Sequence, residues 1–172
     1  MSGLAAAEPH TILLLRHAEK AAEPAADPGL SEAGQQRAQQ LAEALRHAGV
    51  QHILVTKWRR TRDTAAPLAQ HLGLPVQVLD ARDIEGSAAR LMALNGTVLV
   101  VGHSNTVTPL LAALGGPRLP WLCETSFSPL FVWRREPGAA PTVLRLRYGA
   151  GDAPTPAAST ASAASAASAD CL

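Results

Sequence analysis

The chain has 172 residues, 47% of them apolar, and Lys plus Arg minus Asp plus Glu is 15 − 14 = +1. That length holds one domain of ordinary size. The near-zero charge balance excludes a general nucleic-acid or membrane-surface binder, which needs a basic excess. Two cysteines, Cys123 and Cys171, are too few for a disulfide framework or a Cys-rich zinc site, and they suit a reducing compartment. No apolar run is long enough to span a bilayer, and residues 1–9 lack a basic stretch followed by an apolar one, so a cytoplasmic protein is expected.

His10–Leu15 is a short apolar run after Pro9 and reads as a buried strand. Ser31 opens a helix whose Ala38, Leu41, Ala42 and Leu45 share one face, with Gly49 just beyond its end. His52–Val55 is the second strand. Arg60–Leu72 is the second helix, stopped by Gly73 and Pro75. Val76–Leu79 is a third strand and Ser87–Leu94 a short helix ended by Asn95-Gly96. Thr97–Val101 is the fourth strand. The helix after it, Thr106–Leu114, tolerates Pro109 only in its first turn. Ser128–Arg134 and Thr142–Tyr148 are the last strands, joined through Glu136-Pro137-Gly138.

Strand alternating with helix predicts an α/β three-layer sandwich, a mostly parallel sheet with helices on both faces. From Gly149 onward the sequence is mostly Ala, Ser, Thr, Pro and Gly, with Ser159, Ser162, Ser165 and Ser168 at period three. It carries too little apolar bulk to order itself, so the expected organisation is a folded domain over 1–148 and a disordered tail over 149–172.

In such sheets ligands bind beyond the carboxyl ends of the strands. Arg16-His17-Ala18-Glu19-Lys20 follows the first strand, Thr56-Lys57-Trp58-Arg59-Arg60 the second, and Gly102-His103-Ser104-Asn105 the fourth. Each segment alone has an ordinary explanation: a polar strand end, a solvated helix start, a hydrogen-bonded core histidine. Cations at a helix start oppose its dipole, however, which points to an anion nearby. Together the segments suit phosphoryl transfer. Arginine forks match phosphate oxygens, a neutral imidazole can attack phosphorus, and adjacent guanidinium groups keep that imidazole unprotonated. A ring of fixed donors then stabilises the transferring group, and the arginines neutralise its charge without a metal.

These segments resemble the histidine phosphatase superfamily, in its phosphoglycerate-mutase-like branch. Arg-His-Gly of that family reads Arg16-His17-Ala18 here. Leu-Thr-x-x-Gly-x-x-Gln-Ala is matched by Leu30-Ser31-Glu32-Ala33-Gly34-Gln35-Gln36-Arg37-Ala38. Ser-x-x-x-Arg-x-x-x-Thr-Ala is matched by Thr56 through Arg60 to Thr64-Ala65, and the second histidine block by Val100-Val101-Gly102-His103-Ser104. The resemblance runs from about Thr11 to Tyr148, and four blocks in order are more specific than any one. It implies a phosphoglycerate-mutase-like fold and a metal-independent phosphatase with no cofactor. His17 is then the nucleophile. Arg16, Arg60 and His103 complete the phosphate pocket, and the Ser104 amide adds a donor. The implied partner is a phosphorylated small molecule or a phosphoprotein, with no nucleic acid and no membrane; the sequence assigns no oligomeric state.

Two departures shape that expectation. The family's acidic proton donor after the third strand has no clean counterpart in Asp80-Ala81-Arg82-Asp83-Ile84-Glu85-Gly86. Asp83, Glu85, Glu19 or no residue fills the role, and the ordinary reading of Asp83 and Glu85 is a helix start. There is also little room for a cap insertion, which makes the chain similar to the small bacterial phosphohistidine phosphatases. A phosphohistidine or a phosphate monoester with a good leaving group is therefore the expected substrate.

Other classes fit the sequence less well. A non-catalytic phosphate-binding module would keep the same pocket. A serine hydrolase would use Ser104 in Gly102-His103-Ser104-Asn105-Thr106, but Thr106 stands where a nucleophile elbow wants Gly, and no histidine follows Ser104. A zinc enzyme or a P-loop protein lacks its motif. A mutase would need a site closed to water. Trp121, Phe131 and Trp133 are read as core or edge packing.

Overall fold

The computed structural model describes residues 9–152 and 171–172. Strand β1 (His10–Arg16) is followed by helix α1 (Glu32–Leu45), β2 (Val50–Val55), α2 (Arg59–Leu72), β3 (Val76–Val78) and α3 (Ile84–Met92). Then come β4 (Thr97–Gly102), α4 (Val107–Ala113), β5 (Pro129–Arg135) and β6 (Thr142–Arg147). The six strands form one sheet in the order β3-β2-β4-β1-β5-β6. The pairs β1·β4, β2·β4 and β2·β3 are parallel, and β5 and β6 add an antiparallel edge.

Side chains alternate across each strand and so divide the core in two. Ile12, Leu14, Leu54, Val98 and Val100 point to one face, where Leu91 of α3 and Leu110 and Leu111 of α4 cover them. Leu13, Leu15, Ile53, Val55, Leu99 and Val101 point to the other, beneath Leu41 and Leu45 of α1 and Leu68 of α2. The central parallel strands are buried on both faces, hence their unbroken apolar runs. This is the three-layer α/β architecture expected from the sequence.

Local signals also hold. Ser31 caps α1, its Oγ accepting from the Gly34 amide at 3.1 Å. Pro109 lies in the first turn of α4. Helix α3 starts three residues before the expected Ser87, because Asp83 is its cap and accepts from the Gly86 amide at 2.8 Å. Phe131 and Trp133 are fully buried, as read, but Trp121 is 60% exposed.

The reading of residues 149–172 changes at both ends. Asp152 accepts from the Phe127 amide (2.8 Å), the Ser128 amide (2.8 Å) and the Ser128 hydroxyl (2.6 Å), and Ala150 gives its carbonyl to Arg37 at 2.9 Å. The packed body therefore continues past Tyr148. At the far end Cys171 forms a disulfide with Cys123, while Leu172 donates to the Trp121 carbonyl (2.9 Å) and accepts from the Cys123 amide (2.8 Å). Composition hides these contacts because each depends on a single polar or thiol group. The serine repeat lies outside the described residues. A disulfide is also the pairing that oxidising compartments preserve, which departs from the expectation drawn from two unpaired thiols. Among the described residues no helix is long and apolar enough to cross a membrane.

Candidate active site

The register of β1 against β4 pairs Arg16 with Gly102, and the His17 amide donates to the Gly102 carbonyl at 2.9 Å. That pairing carries His17 and His103 off adjacent strand ends side by side, with ring centroids 5.3 Å apart at a steep angle. Arg60, in the first turn of α2, reaches the same place: its Nη2 lies 3.5 Å from His103 Nδ1. Arg16, His17, Arg60 and His103 all line one hollow of about 450 Å³. The floor is buried: Arg16 is 2%, His17 4% and His103 8% exposed.

The neighbouring motif residues build this floor. A side chain at Gly34 would run into the Glu19 carbonyl, so glycine lets α1 close onto the segment after His17. Thr64, fully buried, accepts from the Ala18 amide at 2.9 Å and donates to the Arg60 carbonyl at 2.7 Å, which ties the loop carrying His17 to α2. Arg59 is exposed and pairs with Asp63 at 3.4 Å, and Asp27 accepts from its amide at 3.0 Å. Arg60 is thus the arginine of the cluster that serves the hollow.

Hydrogen bonds fix both imidazoles. His17 Nδ1 lies 2.7 Å from the Ala18 carbonyl, which can only accept, so Nδ1 carries the proton and Nε2 keeps its lone pair. Guanidinium can only donate, so His103 Nδ1 accepts from Arg60, and its Nε2–H donates to Thr56 Oγ1 at 2.8 Å. Thr56 Oγ1 sits 3.1 Å from Thr61 Oγ1, which donates to the Trp58 carbonyl at 2.8 Å. Burial, opposed by the bond to the Ala18 carbonyl but reinforced by Arg16, His103 and Arg60, lowers the His17 pKa to about 3. Burial with Arg60 and Arg16 lowers that of His103 to about 4. Both rings are neutral near pH 7.

The guanidinium of Arg16 is held on three sides. Nη1 donates to the Cys123 carbonyl (2.8 Å), Nη2 donates to Glu124 Oε2 (2.7 Å), and the group lies 4.3 Å from the centroid of the Phe127 ring. Buried Nε atoms of Arg16 and Arg60 have no partner among the described residues. A buried donor left unpaired costs about 1–3 kcal/mol, which an arriving oxyanion would relieve.

The ordinary reading of Asp83 and Glu85, a helix start, matches the structure. Asp83 caps α3 and Glu85 follows in its first turn. Glu19 is gripped through both carboxylate oxygens by Arg37 at 2.8–3.0 Å. None of these three lines the hollow; Glu124 does. Its burial favours the neutral acid, but the hydrogen bond from the Ser104 hydroxyl (2.6 Å) and the Arg16 charge outweigh this and hold its pKa below the usual range. Ser104 is therefore partnered by a carboxylate, and no histidine bonds to it among the described residues, against its use as a hydrolase nucleophile. Glu124, Phe127 and Trp121 were missed as site residues because the loop carrying them has no motif. A larger hollow, about 640 Å³ between α1 and α2, contains none of these groups.

The sheet order and helix placement are those of a phosphoglycerate-mutase-like α/β fold. The model of the histidine phosphatase superfamily (branch 1) matches residues 12–83, a stretch that includes Arg16, His17 and Arg60, and the resemblance read from the motifs is borne out. Among solved structures, the protein histidine phosphatase SixA complexed with tungstate is 21% identical. It covers 80% of this chain and 96% of its own, with a TM-score of 0.67. A putative phosphohistidine phosphatase SixA from Agrobacterium tumefaciens is 23% identical, covers 82% and 98%, and has a TM-score of 0.62. A mycobacterial glucosyl-3-phosphoglycerate phosphatase is 18% identical over 74% and 91%, with a TM-score of 0.56. No curated protein matches the chain in sequence.

Proposed function

We propose that the protein is a phosphatase that hydrolyses a phosphate monoester or phosphohistidine through a phosphohistidine intermediate on His17, without a metal. The observation that carries this reading is the His17 Nδ1–H bond to the Ala18 carbonyl, which leaves Nε2 as an unprotonated nucleophile among two arginines and a second histidine. The family match and the SixA-like neighbours favour the same reading. Substrates are phosphorylated small molecules or phosphoproteins.

In the first step the Nε2 lone pair forms the N–P bond as the bond from phosphorus to the leaving group breaks, and the leaving group departs with that electron pair. Arg16 and Arg60 carry the charge on the phosphoryl oxygens, and their unpartnered Nε donors turn to them. The Nδ1–H bond to Ala18 persists and stabilises the cationic phosphoimidazole. In the second step water attacks phosphorus, the N–P bond breaks and its electrons return to Nε2. Glu124 is ionised and can take a proton from that water. Among the described residues the one carboxyl group lining the hollow, Glu124, is ionised, so the site favours departing groups that need little protonation: imidazole, acyl or aryl oxygen.

The test is release of phosphate from p-nitrophenyl phosphate and from a phosphohistidine peptide, with chelator present, by the wild type and His17→Ala. Chelator-resistant release that vanishes in the variant, with an acid-labile, base-stable phosphoenzyme, is expected. Affinity without release would make the protein a binding module, and loss on chelation would make it a metal enzyme.

A further inference from the structure

Phosphoryl transfer is in line, so the departing group must leave on the side of phosphorus away from His17. His17 lies on the buried floor; the mouth of the hollow carries Lys20, Arg82 and the 60% exposed indole of Trp121. Trp121 is exposed without being loose. Its carbonyl accepts from Leu172, and its neighbour Leu122 is buried and donates to the Ser104 carbonyl at 3.0 Å. Cys123, one residue further, carries the disulfide. An exposed large apolar group on a pinned loop at a reactive mouth is a surface to be covered by a ligand.

The mouth also opens sideways. A second hollow of about 390 Å³ shares Trp58, Ala81 and Arg82 with the first and extends to Lys57 and to Val78, which is 46% exposed. The charge here exceeds what one phosphoryl group needs. Arg16 and Arg60 already serve that group on the floor. Lys20, Lys57 and Arg82 are additional, and no ion pair joins any of them to an acid among the described residues. Asp80, which lines the second hollow, has its Oδ1 occupied by the Arg82 amide at 2.9 Å. Three cations without an ion pair at one mouth, set against the single Glu124 carboxylate that feels the charge of Lys20 and is already bound to Arg16, point to a second anion position.

We propose that this lip, with Trp121 and Val78 as its apolar part and Lys20, Lys57 and Arg82 as its cationic part, is the leaving-group subsite. It takes a small phosphorylated compound whose departing portion is flat, apolar and carries a second anionic group. The inference rests on the phosphatase reading above and specifies its substrate class. Trp121 sets apolar recognition; Lys57 and Arg82 set the preference for the second charge.

The experiment compares 4-carboxyphenyl phosphate, phenyl phosphate and acetyl phosphate on the wild type, Lys57→Gln/Arg82→Gln and Trp121→Ala. The wild type favours the carboxylated over the plain aryl ester by about tenfold in kcat/KM, a difference of about 1.4 kcal/mol, carried mainly in KM. The double variant brings that ratio close to one. Trp121→Ala lowers kcat/KM for both aryl esters relative to acetyl phosphate. A wild-type ratio near one, or a ratio the double variant leaves intact, overturns the proposal. If no compound is hydrolysed, the phosphatase reading fails instead. Calorimetric affinities of the two aryl esters for the same proteins then decide the subsite: no preference in the wild type, or one the double variant leaves intact, rejects it.

Discussion

The Glu124 carboxylate lies 2.7 Å from Nη2 of Arg16, on a guanidinium that also lines the hollow holding His17 and His103. An arriving phosphate must share that guanidinium with a carboxylate of like charge. Glu124→Gln removes the repulsion but keeps a group that can accept from Ser104 and Arg16. The expected result is tighter binding of inorganic phosphate or tungstate by about three- to tenfold, about 0.7–1.4 kcal/mol. Turnover should fall at the water-attack step, so the phosphoenzyme accumulates. Weaker anion binding in this variant would show that the carboxylate only braces Arg16.

His17 remains neutral far below the ordinary histidine range, with a pKa of about 3. Ring-nitrogen NMR reports this without interference from substrate titration. At pH 5 the His17 signals should still show a neutral ring protonated on Nδ1. Binding of phosphate adds negative charge beside both imidazoles and raises their pKa values, so anion binding below pH 7 should be accompanied by proton uptake. A ring that titrates near 6.5 in the free protein would remove the basis for an activated nucleophile.

The same shifts make the fold sensitive to acid. His17 and His103 have folded pKa values below the unfolded 6.5, so the stability linked to their neutral forms is full above about pH 6.5 and is lost as pH falls toward 4. Each contributes a slope of up to about 1.4 kcal/mol per pH unit in that window. Glu124 and Asp152, whose pKa values are also lowered, add losses of the same sign at lower pH. Urea midpoints at pH 7 and pH 5 should differ clearly in the wild type and much less in a His17→Ala, His103→Ala double variant. Equal midpoints in the wild type would contradict the burial of neutral rings.

The sheet and the four convergent residues were legible because they depend on local pattern. Apolar runs mark the strands, caps mark the helices, and parallel packing brings the carboxyl ends together; the Arg16–Gly102 register does the rest. The second half of the pocket was not legible. Cys123, Ser126 and Glu124 reach Arg16 across more than 100 residues of chain, and no spacing rule links them. Trp121 is not separable from packing residues in the sequence, because an exposed indole and a buried one look alike there. Asp152 is hidden in the Ala- and Ser-rich stretch because one carboxylate does not alter the composition of its surroundings.

The disulfide should be measurable as stability. Cys123 and Cys171 are 48 residues apart, and closing a loop of that length limits the unfolded chain by about 4 kcal/mol in the chain-entropy account. Reduction, or Cys171→Ser, should lower the melting temperature and release the loop whose Cys123 carbonyl accepts from Arg16, raising KM more than it lowers kcat. Thiol titration of the native, unreduced protein decides the premise: two reactive thiols would rule the bond out.

Ending the chain after Tyr148, where composition places the domain boundary, should therefore not be neutral. It removes Asp152, whose carboxylate accepts from Ser128 and Phe127 and pairs with Arg147 at 3.2 Å. Phe127 in turn supplies the ring against Arg16. Asp152→Ala alone leaves two backbone amides and a buried arginine less well satisfied, at a cost of about 2–4 kcal/mol. Because the Phe127 ring lies 4.3 Å from the Arg16 guanidinium and further, 6.4 Å, from the His17 ring, the phosphoenzyme should still form, but at higher substrate concentration. The truncated chain should lose more stability than Asp152→Ala, since it also lacks Cys171. Urea unfolding of the three proteins, with KM and kcat measured for each, checks this order; a truncated chain as stable and active as the full one would return the boundary to Tyr148.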